Sequence, residues 1–287
     1  MTQFNYEEAF SRNLGWVTEE EQQILRGKKV AIAGLGGVGG VHLLTLVRLG
    51  VSQFHIADND TFEVANFNRQ VGAMMSTVGR PKIDVLTEMA LDINPELQIT
   101  KFDQGVSDDN VGDFLQDVDL YIDGLDFYVL EIRKKVFARC TERAIPSITA
   151  APFGMGAGFL VFMPGKMSFE DYFRLEGLNA IDQQIHFAAG LVPKGLHKKA
   201  LIDPSRFNFS AQTAPSIFMG CEFCAAVAGV EALKVLLNRG KVYAAPFYHH
   251  FDCYTGRWKR GWLPGGNQHL LQRLKILLLK RQLRHIR

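Results

Sequence analysis

The sequence has few cysteines and no long uninterrupted apolar run. Only four cysteines occur among 287 residues, too few for the disulfide framework of a small secreted protein. Residues 1–12 are acidic and polar where a secretory signal peptide needs an apolar stretch, so a reducing cytoplasm is the expected location. The most apolar stretch, residues 216–237, contains Glu222, Glu231 and Lys234. These charges favour a buried helix over a membrane span.

Acidic residues are missing from the C-terminal end, which makes the charge uneven along the chain. The whole sequence has 32 Lys and Arg against 30 Asp and Glu, a net charge of +2. Nine of the basic residues and none of the acidic ones lie from Gly256 onward. A body of −7 therefore carries a tail of +9, and such asymmetry suggests an interaction surface.

Strand and helix patterns alternate over the first half of the sequence. Short apolar runs predict strands at 28–33, 53–57, 98–102, 118–122 and 147–149, and helical spacing of apolar residues predicts helices near 42–49, 81–92, 108–116 and 129–143. Parallel strands need crossover helices that cover both faces of the sheet. The pattern thus predicts an α/β fold, a Rossmann-like, doubly wound, mostly parallel sheet. Later strands near 153–162 and 248–252 predict an antiparallel C-terminal extension.

We divide the chain by these patterns, because no change in composition is sharp enough to separate two independent domains. The segments are an N-terminal helical segment (1–27), a nucleotide-binding core (28–163), a crossover or substrate region (164–215), a late helix and strand completing the core (216–260) and a basic amphipathic tail (261–287). The region 164–215 has weak periodicity. A stretch of this kind is usually functional or disordered.

A glycine-rich turn separates the first predicted strand from its helix. Gly34, Gly36, Gly37 and Gly39 have no side chains, so backbone N–H groups and the helix N-terminus can approach a phosphate. Asp58, at the end of the second strand, is placed to accept hydrogen bonds from ribose hydroxyls. The same pattern fits a dinucleotide fingerprint, so an NAD- or FAD-binding oxidoreductase is one interpretation.

Two cations beyond the ribose position favour ATP. Arg69 and Lys82 lie on the following loop and helix start. Neither a nicotinamide nor a flavin needs two cations there, whereas a triphosphate does, since an Arg fork and a Lys charge neutralise β- and γ-phosphates. Asp126 follows the fourth strand at the carboxyl edge of the sheet and is a candidate anchor for Mg²⁺.

Several motifs together resemble the ThiF/MoeB/HesA family of ubiquitin-activating-enzyme-like adenylyltransferases. The resemblance is densest over residues 11–150, and its combination of motifs is specific although each motif alone is not. The similar segments are Ser11-Arg12-Asn13, the glycine turn, the pair Asp58 and Asp60, Asn66 to Gln70, Gly79 to Lys82, Asp126 and residues 229–234 of the late helix.

The resemblance implies roles for the site residues. Asp58, with Asp60 beside it, would hold the ribose, and Arg69 and Lys82 the phosphates. Asp126 would hold Mg²⁺. The resemblance also implies that Asn66 and Gln70 shape the nucleotide pocket.

Arg12 resembles an N-terminal arginine that reaches the partner subunit's ATP in bacterial homodimers of the family. The resemblance therefore implies a homodimer with completed sites. From the sequence alone, an ordinary surface ion pair explains Arg12 equally well.

The leading functional hypothesis is ATP-dependent adenylation of a carboxylate, with release of pyrophosphate. The resemblance implies that the carboxylate is the C-terminus of a small ubiquitin-like or sulfur-carrier protein. An RNA-directed alternative resembles the family's tRNA threonylcarbamoyladenosine dehydratases, in which case the basic tail would contact phosphates. The oxidoreductase interpretation is the third.

The cysteines depart from the family pattern. Many relatives carry a structural zinc bound by two C-x-x-C pairs, but this sequence has no cysteine between Cys140 and Cys221. Cys221 and Cys224 lie in an apolar helical run, which favours buried thiols over zinc ligands. The crossover region also lacks the cysteine with which conjugating members form a thioester, which predicts an adenylating member without that step. Cys221 or Cys253, if placed near the cleft, is the alternative. Phe127 stands where an Asn is usual.

The tail has helical potential over residues 268–287, with basic residues along one stripe. Such a helix could contact RNA or an anionic membrane. The alternative is a terminal helix docked on its own protein or on a dimer partner, because the apolar arc is too wide to leave exposed.

Overall fold

The computed structural model describes residues 3–207 and 212–284. Its eight strands are β1 (Lys29–Ala33), β2 (Gln53–Ala57), β3 (Gln98–Phe102), β4 (Leu120–Asp123), β5 (Ser147–Pro152), β6 (Gly156–Phe162), β7 (Phe247–Asp252) and β8 (Arg257–Trp262). Its helices are α1 (Tyr6–Ala9), α2 (Glu19–Gly27), α3 (Gly39–Leu49), α4 (Lys82–Ile93), α5 (Val111–Phe114), α6 (Leu130–Glu142), α7 (Phe169–Phe173), α8 (Ala180–Leu191), α9 (Phe218–Leu236) and α10 (Leu270–Arg284).

All eight strands form one sheet in the order β3-β2-β1-β4-β5-β6-β7-β8. The first five strands pair in parallel, and β6, β7 and β8 pair antiparallel. The predicted fold, a mostly parallel doubly wound sheet with an antiparallel C-terminal extension, is confirmed. The strand order reverses between β1 and β4, and open α/β sheets bind ligands at that switch point.

Helices cover both faces of the sheet. Apolar residues of α3, α4 and α9 pack on one face, against side chains such as Val30, Ile32 and Ile122. Residues of α5 to α8 pack on the other face, where Tyr121, Phe137 and Phe162 are buried. The central strands are apolar on both sides because both sides are covered. Strands β1, β2 and β4 end together at the carboxyl edge of the sheet. Because they are packed on both faces, the position of this edge is fixed.

Several elements differ from the sequence-based expectations. The predicted helix at 108–116 contains only the short α5, flanked by turns. The weakly patterned region 164–215 includes the twelve-residue helix α8, which begins at an Asn179 cap whose side chain accepts from the Asp182 N–H. Strand β8 was not predicted, since three of its six residues are charged and five are exposed. Within the described ranges, no helix is both long and apolar enough to cross a bilayer.

The basic tail docks on its own protein by one face of α10. Ile276 packs against Ile185 and Ala189 of α8. The Gln272 side-chain amide donates to the Ala189 carbonyl at 2.6 Å, and the Lys280 ammonium lies 3.0 Å from the Asp182 carboxylate. One face of the terminal helix is therefore docked on the protein itself, as the alternative interpretation of the sequence predicted.

Candidate active site

The glycine turn lies at the carboxyl end of β1 and leads into α3. Gly34 has a φ of +82°, a conformation that favours glycine. A Cβ on Gly39 would overlap the Gly34 carbonyl, and a Cβ on Gly124, just after β4, would overlap the same oxygen. Backbone therefore packs directly on backbone among Gly34, Gly39 and Gly124, which ties the turn to the loop that follows β4.

The middle of the turn is open. The nearest atom to a Cβ built on Gly36 is the Gln70 side-chain nitrogen, at 3.7 Å, whereas a Cβ on Gly37 would lie 3.0 Å from the Cys221 sulfur of α9. The Gln70 side-chain oxygen is buried and has no hydrogen-bond partner in the described part of the chain. A buried polar atom without a partner costs about 1–3 kcal/mol. A nucleotide above Gly36 would relieve this cost.

Asp58 is anchored at the end of β2 by backbone groups. Its carboxylate accepts from the Leu35 N–H at 2.6 Å and from the Asp60 N–H at 2.8 Å. Burial raises the pKa of the Asp58 carboxyl, and these two backbone hydrogen bonds oppose that effect. The carboxylate is thus oriented toward the glycine turn and keeps lone pairs for ribose hydroxyls.

Lys82 begins α4 and is buried at 6% exposure, unusually low for a lysine. Its ammonium lies 2.9 Å from the exposed Asp60 carboxylate, and its N–H donates to the Asp60 carbonyl at 2.9 Å. An ammonium has three donors, so Lys82 can contact Asp60 and a phosphate together. The structure therefore joins Asp58, Asp60 and Lys82 in one cluster beside the turn.

Arg69 and Asn66 lie on the loop between β2 and α4, and the Arg69 Cγ is 3.7 Å from a Cβ built on Gly37 of the turn. The Arg69 guanidinium donates to the Ala65 carbonyl at 3.0 Å and to the Asn68 side chain at 3.1 Å. Among the described residues it forms no ion pair with a carboxylate, so its charge remains available to an anion. Asn66 is buried and accepts from the Glu63 N–H at 3.0 Å, which shapes the loop.

Asp126 lies in the loop after β4 and is exposed. Its carboxylate accepts from the Tyr128 N–H at 3.0 Å. The side chain therefore stands at the same sheet edge as the glycine turn, on the other side of the switch point between β1 and β4. Exposed carboxylate oxygens are the ligands that Mg²⁺ prefers in proteins.

A buried ion pair that sequence reasoning missed holds this loop. Arg133 of α6 and Asp123 of β4 are each 2% exposed and lie 2.8 Å apart. Thr149 also donates to the Asp123 carboxylate, at 2.7 Å. The remaining guanidinium N–H groups donate to four loop carbonyls, those of Leu125, Asp126, Phe127 and Val129. Arg133 therefore sets the backbone from which Asp126 projects.

Arg12 is the one predicted site residue that lies elsewhere. It is exposed on a short 3-10 turn, Ser11–Asn13. The neighbouring Asn13 donates to the carbonyls of Arg48 and Leu49, at the C-terminal end of α3. The glycine turn lies at the opposite end of this 11-residue helix, about 15 Å away. Arg12 therefore does not join the cluster within this chain.

The cysteines of α9 lie beside the site but are buried. Burial raises the pKa of the Cys221 thiol to about 11 and that of Cys224 well above its ordinary value. Burial also raises the pKa of the Cys253 thiol. Because the thiolate is the reactive form, the protein environment keeps these thiols in their weakly nucleophilic state.

The sequence matches the model of the ThiF family over residues 10–268. It is 33% identical over 142 residues to the tRNA threonylcarbamoyladenosine dehydratase of Bacillus subtilis, covering 49% of this chain and 55% of that protein. It is 31% identical over 143 residues to the sulfur carrier protein ThiS adenylyltransferase of Escherichia coli, covering 50% and 56%. The chain spans about half the length of the curated relatives it matches.

A solved structure shares the fold. The crystal structure of Escherichia coli MccB with ATP superposes with a TM-score of 0.65 at 19% identity, over 88% of this chain and 69% of that one. At this identity the likeness supports the fold alone.

Proposed function

The chain belongs to the ThiF family, and from this membership we propose that it activates a carboxylate by adenylation with ATP. The observation that carries the proposal is a grouping at one switch point of the sheet: an open glycine turn, a buried lysine and an arginine that forms no ion pair with the described residues. These groups and the neighbouring Asp58 each fit one part of the nucleotide. The turn suits a phosphate, Asp58 suits the ribose, and Lys82 and Arg69 suit the negative charge beyond.

In the proposed reaction, the substrate carboxylate attacks the α-phosphate of ATP, and pyrophosphate leaves. The protein contributes position and charge in this step. Lys82 and Arg69 neutralise the charge that grows on the departing pyrophosphate, as fixed cations that need no rearrangement. The N-terminus of α3 and the N–H groups of the turn hold the remaining phosphate oxygens.

Asp126 is the proposed Mg²⁺ ligand. The metal would supply positive charge that offsets the charge of the phosphates. Asp126 is exposed, and its loop is fixed by Arg133, so its carboxylate is held at the edge without being committed to a cation of the protein. This arrangement fits a metal that arrives with ATP.

For the substrate, we propose the C-terminal carboxylate of a small ubiquitin-like or sulfur-carrier protein. The similarity to the ThiS adenylyltransferase supports this proposal. The similarity to the tRNA threonylcarbamoyladenosine dehydratase supports a second candidate, the modified tRNA. A threonylcarbamoyl group ends in a carboxylate, so activation by adenylation suits both candidates. The two cations Lys82 and Arg69 do not support the oxidoreductase interpretation.

The test is exchange of labelled pyrophosphate into ATP, measured with small carrier proteins and with tRNA that bears threonylcarbamoyladenosine. We expect exchange with one substrate class only. The matched control is the same carrier with an amidated C-terminus, which lacks the attacking carboxylate and should give no exchange. Exchange that is equal for the free and amidated carriers would contradict carboxylate activation of the carrier.

We also propose a homodimer in which Arg12 of one subunit completes the nucleotide site of the other. Arg12 supports this proposal because it is exposed and stands far from the cluster of its own subunit. We expect Arg12→Ala and Lys82→Ala to be inactive separately. Mixed after reversible dissociation, they should recover about a quarter of the native exchange activity, since half of the dimers would be mixed and each mixed dimer has one intact site. A mixture as inactive as its components would exclude an Arg12 that acts in the partner subunit.

A further inference from the structure

The outward face of α10 carries a stripe of leucines that the rest of the protein leaves uncovered. Leu270, Leu271, Leu274, Leu277 and Leu278 are 78%, 65%, 54%, 47% and 48% exposed. At 100° per residue they span an arc of about 120° on one side of the helix. The buried residues Gln272 and Ile276 lie on the opposite side. The helix is therefore apolar on two faces, and only one of them is docked on α8.

Basic residues border this leucine stripe. Arg273 and Lys275 lie on either side of the stripe, and Arg281 lies at its C-terminal end; all three are exposed. Beside Lys275 lie Lys194 and Lys198; burial and then these two charges lower the pKa of the Lys275 ammonium. The sequence has no Asp or Glu from Gly256 to Arg287. The nearby acidic residue Asp182 is already paired with Lys280. The surface thus combines an apolar strip with an excess of positive charge.

A second copy of the chain fits this surface poorly. In a symmetric dimer the same patch lies on both sides of the interface. Pairing the leucine stripes would bring the arginines and lysines of the two copies together, and α10 has no carboxylate to compensate them. Like charges that face each other across an interface are destabilising.

RNA also fits this surface poorly, because it could bind the cations but not the leucines. Its phosphates would attract the cations, but bases bind proteins by stacking on aromatic rings and arginine planes. The stripe consists of leucine side chains and has no aromatic ring between Leu270 and Arg281. A partner that complements this surface must offer an apolar phase to the five exposed leucines and anions to the cations beside them.

We infer that α10 binds an anionic membrane surface, lying in the plane of the interface with its leucines in the acyl boundary and its cations among the lipid headgroups. An amphipathic helix of this composition is typical of such interfacial binding. Each Lys or Arg near an anionic leaflet adds about 1 kcal/mol of attraction. Because the opposite face stays docked on α8 through Ile276 and Gln272, the whole protein is recruited without unfolding.

The test is sedimentation of the full chain with vesicles of phosphatidylcholine alone or with about a quarter phosphatidylserine. We expect binding to the anionic vesicles at least about tenfold tighter than to the neutral ones. Leu274→Gln with Leu278→Gln should weaken anionic binding by about tenfold or more, and Arg273→Glu with Arg281→Glu by more than about tenfold.

The control variants carry the same kinds of substitution at exposed positions outside α10. Ile202→Gln alters a side chain that is 98% exposed and outside α10. Arg257→Glu with Lys259→Glu reverses two exposed charges on β8. Both should change vesicle binding by less than about threefold. All variants should keep native thermal unfolding; if the Leu274 and Leu278 pair does not, Leu270→Gln with Leu271→Gln repeats the test in the first turn.

Three outcomes would overturn the inference. The first is no sedimentation with either vesicle. The second is equal sedimentation with both vesicles. The third is concentration-dependent pairing of the chain without lipid, lost in the leucine variant, which would assign the face to a second copy. Nucleotide binding measured in parallel should be native in every variant, so the outcome is independent of the proposed adenylation.

Discussion

Replacing Lys82 with alanine is expected to lower the rate of pyrophosphate exchange by about a hundredfold or more. Lys82 is the buried cation of the site, and its ammonium is held by Asp60 at 2.9 Å beside the glycine turn. A fixed charge in a partly desolvated site acts on the transition state without reorganisation. Affinity for MgATP should fall as well, by about tenfold, since a charge-assisted contact to phosphate is lost.

The matched control is Lys101→Ala. Lys101 is also a lysine paired with an aspartate, at 2.7 Å from Asp84, but its side chain is 44% exposed and it lies on edge strand β3. Exposed ion pairs of this kind contribute roughly 0–1 kcal/mol to the stability of the fold. Lys101→Ala should therefore leave pyrophosphate exchange and nucleotide binding at their native values. Asp60 is itself exposed, so the loss of Lys82 should leave the fold intact. If the two lysine variants bind MgATP equally, Lys82 has no role at the phosphates.

Replacing Arg133 with methionine is expected to lower the free energy of unfolding by about 3–5 kcal/mol. The substitution leaves the Asp123 carboxylate charged and 2% exposed, with the Thr149 hydroxyl and the Leu125 N–H as donors but no cation. It also removes the donors to four loop carbonyls. The shift in the urea midpoint measures this loss, provided that the slope of the transition is unchanged.

Arg143→Met is the control for Arg133→Met. Arg143 follows the same helix and makes one exposed hydrogen bond, to the Gly112 carbonyl at 2.7 Å, so its loss should cost about 1 kcal/mol or less. The double variant Asp123→Asn with Arg133→Met should be more stable than Arg133→Met alone, because the buried charge is gone. Equal urea midpoints for the two arginine variants would show that the buried pair does not stabilise the protein.

Much of the sheet could be predicted from the sequence because its strands are encoded locally. Residues 30–33 and 120–122 are short apolar runs, the first followed by Gly34 and the second by Asp123 and Gly124. Strand β8 has no such pattern, because an exposed edge strand with Arg257 and Lys259 needs no apolar face. Helix α8 was missed since its buried positions include polar residues such as Gln183 and Gln184, which break the expected periodicity.

The sequence predicts those site residues that belong to a short motif in which each residue type has one role. The glycine turn, Asp58 and Lys82 belong to this class, and the structure brings them together. Arg133 does not, because an arginine within a helix ordinarily lies at the surface. Its burial depends on Asp123, ten residues earlier on a different element. Contacts of this kind arise from the packing of α6 on β4, which no local pattern encodes.

The three mutually packed glycines also affect how the site can vary over evolutionary time. Gly34, Gly39 and Gly124 touch through main-chain atoms, so no rotamer change or side-chain repacking can absorb a substitution there. The distance between the glycine turn and the loop that carries Asp126 is therefore set by main-chain contacts. Strands β6 to β8 lie at the other end of the sheet and make none of these contacts. Their sequence can change without altering that distance.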